Sequence, residues 1–178
     1  MNETDYGELD RVGDSYVLRY TRRFAHSRAK VWRALTEPDH MAAWFPDEVH
    51  GQFAPGARLR FVDRAVGTVE FDGEMLVFDP PSVMELRWGE DVLRFELHED
   101  GDGTVLVFSD TLAELGKAAR DGAGWHVCLA ALTRALDGTP DASPPDWRVV
   151  HDVYVARLGP DASTIGIPPE FLDAADGG

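Results

Sequence analysis

Three side chains stand where they could move a proton: Asp63, Asp110 and His126. In the alternation of their strands the two aspartates share the parity of the apolar residues, and both fall near strand ends. His126 neighbours the apolar stripe of a helix without lying on it. A carboxyl turned inward loses solvation and its pKa rises; with a histidine near, it could act as a general acid or base. The plainer alternative is a strand-end carboxylate reaching water and a helix-edge imidazole bonded to a backbone carbonyl.

Other chemistry has no foothold in the sequence. His26, His40, His50, His98, His126 and His151 show no metal-ligand spacing, and Cys128 is the single cysteine. No phosphate-cradling glycine loop, dinucleotide fingerprint or Gly-x-Ser-x-Gly elbow is present, so no cofactor, metal or nucleophile is expected. Asp100-Gly101-Asp102-Gly103 superficially resembles a calcium loop, but the ligands that should follow are missing; it reads as a hairpin turn.

The elements that would position these groups follow from periodicity. Tyr16 to Phe24 reads as a strand. Two short helices follow, the first capped by Ser27 with Val31 and Leu35 on one face, the second started by Thr36, Pro38 and Asp39. Residues 57–63, 66–78, 83–88, 91–99 and 104–112 then read as strands of a meander. One face gathers Leu59, Phe61, Val69, Phe71, Met84, Leu86, Trp88, Leu93, Phe95, Leu97, Leu106 and Phe108. The other gathers Arg58, Arg60, Glu70, Asp72, Glu74, Glu85, Arg87, Arg94 and Glu96, with opposite charges on neighbouring strands. A bulge near Gly73 would swap the faces of Met75 and Val77. A long helix covers the apolar face through Trp125, Cys128, Leu129, Leu132 and Leu136, with a bend or break expected at Gly122 and Gly124.

Composition sets the remaining bounds. The chain has 178 residues, 44% hydrophobic, with 17 basic and 32 acidic groups and a net charge of −15. That suits one domain with a real core and argues against nucleic acid or anionic membrane as partners. Residues 1–14 are expected to be an acidic tail, 15–138 the domain, and 139–178 a proline-rich linker, a short docked helix around Trp147 and a loose tail from Gly159. No apolar run could span a bilayer, and the N-terminal stretch lacks the basic and apolar regions of a signal peptide. The lone Cys128 fits a reducing compartment, so the cytoplasm is expected.

Five pieces carry a family resemblance: Val31-Trp32-Arg33-Ala34-Leu35-Thr36-Glu37-Pro38, Trp44-Phe45, Pro55-Gly56, Gly103-Thr104 and Gly124-Trp125. In order and spacing, over about residues 15–138, the chain resembles the activator-of-heat-shock-ATPase-homologue-like branch of the START-related (SRPBCC) superfamily. The resemblance implies an α+β helix-grip fold: a curved antiparallel sheet wrapped around a long C-terminal helix, with two short helices after the first strand. It also implies a cavity between sheet and helix. The residues that would line it are Trp44, Phe45, Phe61, Phe71, Trp88, Phe95, Phe108, Trp125 and Leu129; the same rings could equally pack shut as core.

Three functions remain open at this level. The first is a non-catalytic binding protein for a hydrophobic or aromatic small molecule. The second is an enzyme like the superfamily's cyclases and hydratases, using Asp63, Asp110 or His126. The third is a protein–protein role with a chaperone ATPase. The eukaryotic activators use an additional N-terminal domain, and only fourteen residues precede the first strand here. A homodimer built on the helix around Trp147 is a further possible assembly.

Overall fold

The computed structural model describes residues 5–168. Eight strands form one antiparallel sheet: β1 (Glu8–Val12), β2 (Ser15–Phe24), β3 (Asp47–His50), β4 (Arg58–Asp63), β5 (Glu70–Asp79), β6 (Val83–Trp88), β7 (Asp91–Asp100) and β8 (Gly103–Leu112). Their spatial order is β1-β2-β8-β7-β6-β5-β4-β3. Between β2 and β3 lie two short helices, α1 (Arg28–Thr36) and α2 (Pro38–Met41). After β8 come the long α3 (Ala118–Asp137) and then α4 (Trp147–Leu158). A curved sheet gripping one long helix is the helix-grip fold.

Alternation along the strands decides which residues enter the core. Leu59, Phe61, Met75, Met84, Leu86, Leu93, Phe95, Leu97, Leu106 and Phe108 are all buried and face α3. The opposite face pairs its charges across strands, Arg60 with Glu70 and Arg94 with Glu85 at 2.9 Å, and along β7, Arg94 with Glu96 at 2.7 Å. The expected irregularity in β5 lies between Met75 and Val77. Met75 stays inside, and the extra residue turns Phe78 inward beside Trp32.

Local signals explain the short helices with one correction. Ser27 Oγ accepts from the Lys30 amide and caps α1. Thr36 does not start α2; it ends α1, and its hydroxyl donates back to the Trp32 carbonyl at 2.8 Å. α2 begins instead at Pro38, whose missing N–H costs nothing in a first turn. The Trp44 indole N–H then bonds the Ala34 carbonyl at 2.8 Å and fixes one helix against the other.

Three expectations change in the structure. The acidic N-terminal stretch contains a strand, β1, which pairs with β2 from Glu8↔Arg19 to Val12↔Ser15. Residues beyond Gly159 pack as far as 168: Pro160–Ser163 make a 3-10 turn, Ala162 is buried, and the Ile165 amide bonds the Gly116 carbonyl at 3.0 Å. The expected loose tail otherwise falls on 169–178, outside the described residues.

The third change concerns α3, which runs unbroken through Gly122 and Gly124. At Gly122 the reason is close approach. A Cβ there would come within 2.9 Å of the Tyr154 ring from α4. The Tyr20 hydroxyl donates to the Gly122 carbonyl at 2.7 Å and the Tyr154 hydroxyl donates to Tyr20 at 3.0 Å, while the Gly7 amide donates to Tyr154 at 2.7 Å. Through this knot β2, α3, α4 and the residue that leads into β1 hold one another.

The two glycines therefore make a matched test. Gly124→Ala, whose Cβ meets nothing within 4 Å, should raise stability in urea by up to ~1 kcal/mol through helix propensity. Gly122→Ala should lower it by ~1–3 kcal/mol through the clash with Tyr154. Equal shifts of the same sign would show that α4 does not press on α3.

Candidate functional site

Where the sheet opens at the start of α3, a cavity of about 1040 Å³ remains. The β6–β7 turn, the start of β3 and the end of β4 form one side. The first turns of α3 form another, and Trp147, Ile167 and Pro168 from the C-terminal segment close over it.

Its apolar wall comes from the inward face of the sheet. Phe71 and Trp88 meet edge to face at 5.5 Å, and Trp88 leans on Trp125 at 5.3 Å with their planes 57° apart. All three border the cavity. Each indole N–H is spent on a buried carboxylate: Trp88 Nε1 donates to Asp47 Oδ2 at 2.6 Å, and Trp125 Nε1 to Asp110 Oδ2 at 2.8 Å. A buried indole needs such an acceptor.

The polar wall is built around Lys117. Its ammonium lies 2.7 and 2.6 Å from the two oxygens of Asp91, and the Ala113 amide adds a bond of 2.8 Å to the same carboxylate. One turn along α3, Asp121 receives Arg120 Nε at 2.6 Å and lies 4.0 Å from the Lys117 ammonium. Ligand oxygens of Asp91, Asp110 and Asp121 converge within 4.8 Å of one another.

Burial sets the protonation of these acids. It holds the Asp110 carboxyl well above the usual range; Asp91 and Asp121 add to the rise, and the Trp125 N–H and Lys117 oppose it. Asp121 is raised for the same first reason, against the pull of Arg120. Asp47, 2% exposed, is raised to about 6 by burial, with the Trp88 N–H opposing and Asp63 adding. Cys128, also on the wall, has its thiol pushed up to about 12 by burial, so it is no thiolate nucleophile at neutral pH.

The residues singled out from sequence separate into three groups. Phe71, Trp88 and Trp125 border the cavity. Trp44, Phe45, Phe61, Phe95, Phe108 and Leu129 do not; they pack in the core behind it, each nearly or fully buried. Phe95 on Phe108 at 4.7 Å and Phe108 on Trp125 at 4.9 Å show why: ring stacking fills the space that parity left open.

The three candidate acid–base groups are also not together. Asp63 borders the cavity but accepts from the amides of Ala65 and Val66, an Asx turn. Asp110 is fully buried behind Trp125. His126 is buried on another face of α3, stacked on Tyr6 at 4.8 Å, where burial lowers its pKa. Asp47, Asp91, Lys117 and Asp121 escaped the sequence reading. Only Lys117 and Asp121 carried a signal, their i, i+4 spacing at the start of a helix.

The comparisons with known proteins agree on the fold. A conserved protein of unknown function from Enterococcus faecalis superposes with a TM-score of 0.73 at 24% identity, over 85% of this chain and 90% of that one. CalU16 from Micromonospora echinospora gives 0.68 at 21% identity, over 85% and 96%. DynU16, described as a putative protein in the dynemicin biosynthetic locus, gives 0.62 at 26% identity, over 70% of this chain and 48% of that one. Among curated proteins no sequence matches. The family model for Activator of Hsp90 ATPase homolog 1-like protein matches residues 25–137, well over half of the chain. The protein is therefore a member of that family.

Proposed function

We propose that the chain is a non-catalytic binding protein that holds a hydrophobic or aromatic small molecule in the cavity between the sheet and α3. The observation that carries this reading is the aromatic wall: Trp88, Trp125 and Phe71 border an open space of about 1040 Å³ instead of closing it. That volume is ample for a drug-sized molecule, and rings with a few placed polar groups are what such sites use. The similarity to DynU16, a protein of a biosynthetic locus, supports a small molecule as cargo. No helix among the described residues is long and apolar enough to cross a membrane. The reading keeps the cytoplasm as the compartment, on the single unpaired thiol of Cys128.

Nile red, a neutral hydrophobic fluorophore, tests the wall directly. Trp88→Ala should weaken its binding by about tenfold or more through lost ring contact. Arg87→Ala, on the exposed outer face of β6, should leave it unchanged. Equal losses from both would remove the cavity as the binding site.

A second, acid–base reading is favoured by Asp47, a cavity carboxyl that burial raises to about 6. Its value of about 6 in the folded chain lies above the ~3.9 of an unfolded aspartate. Protonation therefore favours folding. Stability from this group is present below the unfolded value and is lost as pH rises through about 6. Asp47→Asn stays neutral and still accepts from Trp88. Urea denaturation should show little difference from the natural chain near pH ~4 and a gain of up to ~3 kcal/mol above pH ~7. A pH-independent difference would show that Asp47 is not raised, and the acid–base reading would lose its basis.

A further inference from the structure

If the cavity holds a ligand, as the binding reading above has it, some part of its rim must move for that ligand to enter and leave. The rim segments differ in how firmly they are held. On the sheet side the start of β3 pairs with the end of β4, Asp47↔Asp63, and the β6–β7 turn closes on the pair Trp88↔Asp91. The first turns of α3 are fixed by the buried Ala118, Ala119 and Gly122. Trp147 stands on α4, whose Val150 and Tyr154 are fully buried.

The strap from Gly159 to Pro168 is held unevenly. Its first part is anchored. Ala162 is buried, the Ile165 amide donates to the Gly116 carbonyl at 3.0 Å, and a Cβ on Gly116 would run into the Thr164 hydroxyl. Beyond Ile165 one hydrogen bond ties the strap down among the described residues: Arg120 Nη1 donates to the Gly166 carbonyl at 3.3 Å, in an exposed position. A bond that long and that wet is weak. Yet this loosely tied end supplies Ile167 and Pro168 to the rim.

The residue at the boundary is a glycine that its surroundings do not require. Gly116 is needed for close approach, and Gly159 adopts a φ of 84°. Gly166 has neither reason: its φ lies outside the left-handed region, and a Cβ there would meet nothing within 4 Å. What glycine still supplies at such a place is backbone freedom. Arg120, in turn, is aimed by Asp121, whose Oδ1 accepts its Nε at 2.6 Å. One arm of the guanidinium is thus fixed to the domain, and another reaches the strap.

We propose that Gly166–Pro168 are the gate of the cavity: they turn about the joint after Ile165, and Arg120 latches them shut through the Gly166 carbonyl. Opening breaks one long hydrogen bond and lifts two side chains from the rim, while the anchored part of the strap stays in place.

Stopped-flow fluorescence with Nile red on the full chain reads the gate as a pair of rates. A gate governs both entry and exit, so the two rates move together. Arg120→Lys keeps a cation beside Asp121 but has no second arm for Gly166. Association and dissociation should both quicken by about two- to tenfold, the return of one hydrogen bond. Gly166→Ala has room for its Cβ and narrows the freedom of the joint. Both rates should fall by about two- to fivefold, with Kd moving by less than about twofold. Arg87→Lys, on the exposed outer face of β6, should change neither rate.

A dissociation rate that rises alone in Arg120→Lys would mark a ligand contact instead of a latch. Unchanged rates in both variants would show that the dye passes elsewhere. Either result overturns the gate and leaves the binding reading standing, whereas failure of Nile red to bind the natural chain would overturn both. Folding of each variant is checked by circular dichroism. Should Arg120→Lys not fold, Gly166→Ala decides alone: slower exchange supports the gate, and unchanged or faster exchange overturns it.

Discussion

The burial of one indole, Trp125, constrains much of the interior. Its ring sits between sheet and long helix, 4.9 Å from Phe108, 5.3 Å from Trp88 and 6.0 Å from Phe45. A tryptophan placed so deep must find an acceptor for its N–H, and in a sheet whose backbone is already paired that acceptor has to be a side chain. Asp110 supplies it from β8, flanked in register by Leu18 of β2 and Leu93 of β7. The carboxyl is thereby carried into the centre of an apolar layer, where its charged form is disfavoured.

The remaining polar architecture follows from that placement. With Asp110 buried, Asp91 and Asp121 come close enough to repel it, while Lys117 opposes the rise at Asp110 and Arg120 pairs with Asp121. The result is a polar seam along one side of the cavity and a ring-lined surface on the other. The same logic recurs in smaller form at Trp88, whose N–H draws Asp47 inward and lifts its pKa. Trp88 and Trp125 thus each have an acid with altered titration behind them.

Much of the fold could be read from the chain because period-two alternation and helical stripes report burial, and burial here is simple: one sheet, one covering helix. The pattern from Arg58 to Leu112 and the stripe from Trp125 to Leu136 suffice for that. β1 and β3 were not legible. Glu8–Val12 and Asp47–His50 are short edge strands rich in charge, and what makes them strands is a neighbour's open hydrogen bonds rather than their own preference. The polar wall was equally hidden. Asp47, Asp91 and Asp121 come from an edge strand, a hairpin turn and a helix start, and no local period relates them. Gly122 misled because propensity reads glycine as a weak point, whereas here its missing Cβ admits the Tyr154 ring.

The segment beyond Gly138 lies outside the family match of residues 25–137, yet it supplies Trp147, Ile167 and Pro168 to the rim of the cavity. Its anchorage at Val150 and Tyr154 uses other side chains than those at the rim, Trp147 sharing α4 with both. Attachment and selectivity are thus separable within one short appendage. Substitutions on the rim can alter what enters while leaving Tyr154 seated on α3, and the shared scaffold need not repack. On the proposed binding reading, such an arrangement lets a lineage diverge in cargo by rewriting about thirty residues after Gly138, a route to new selectivity that leaves the grip itself untouched.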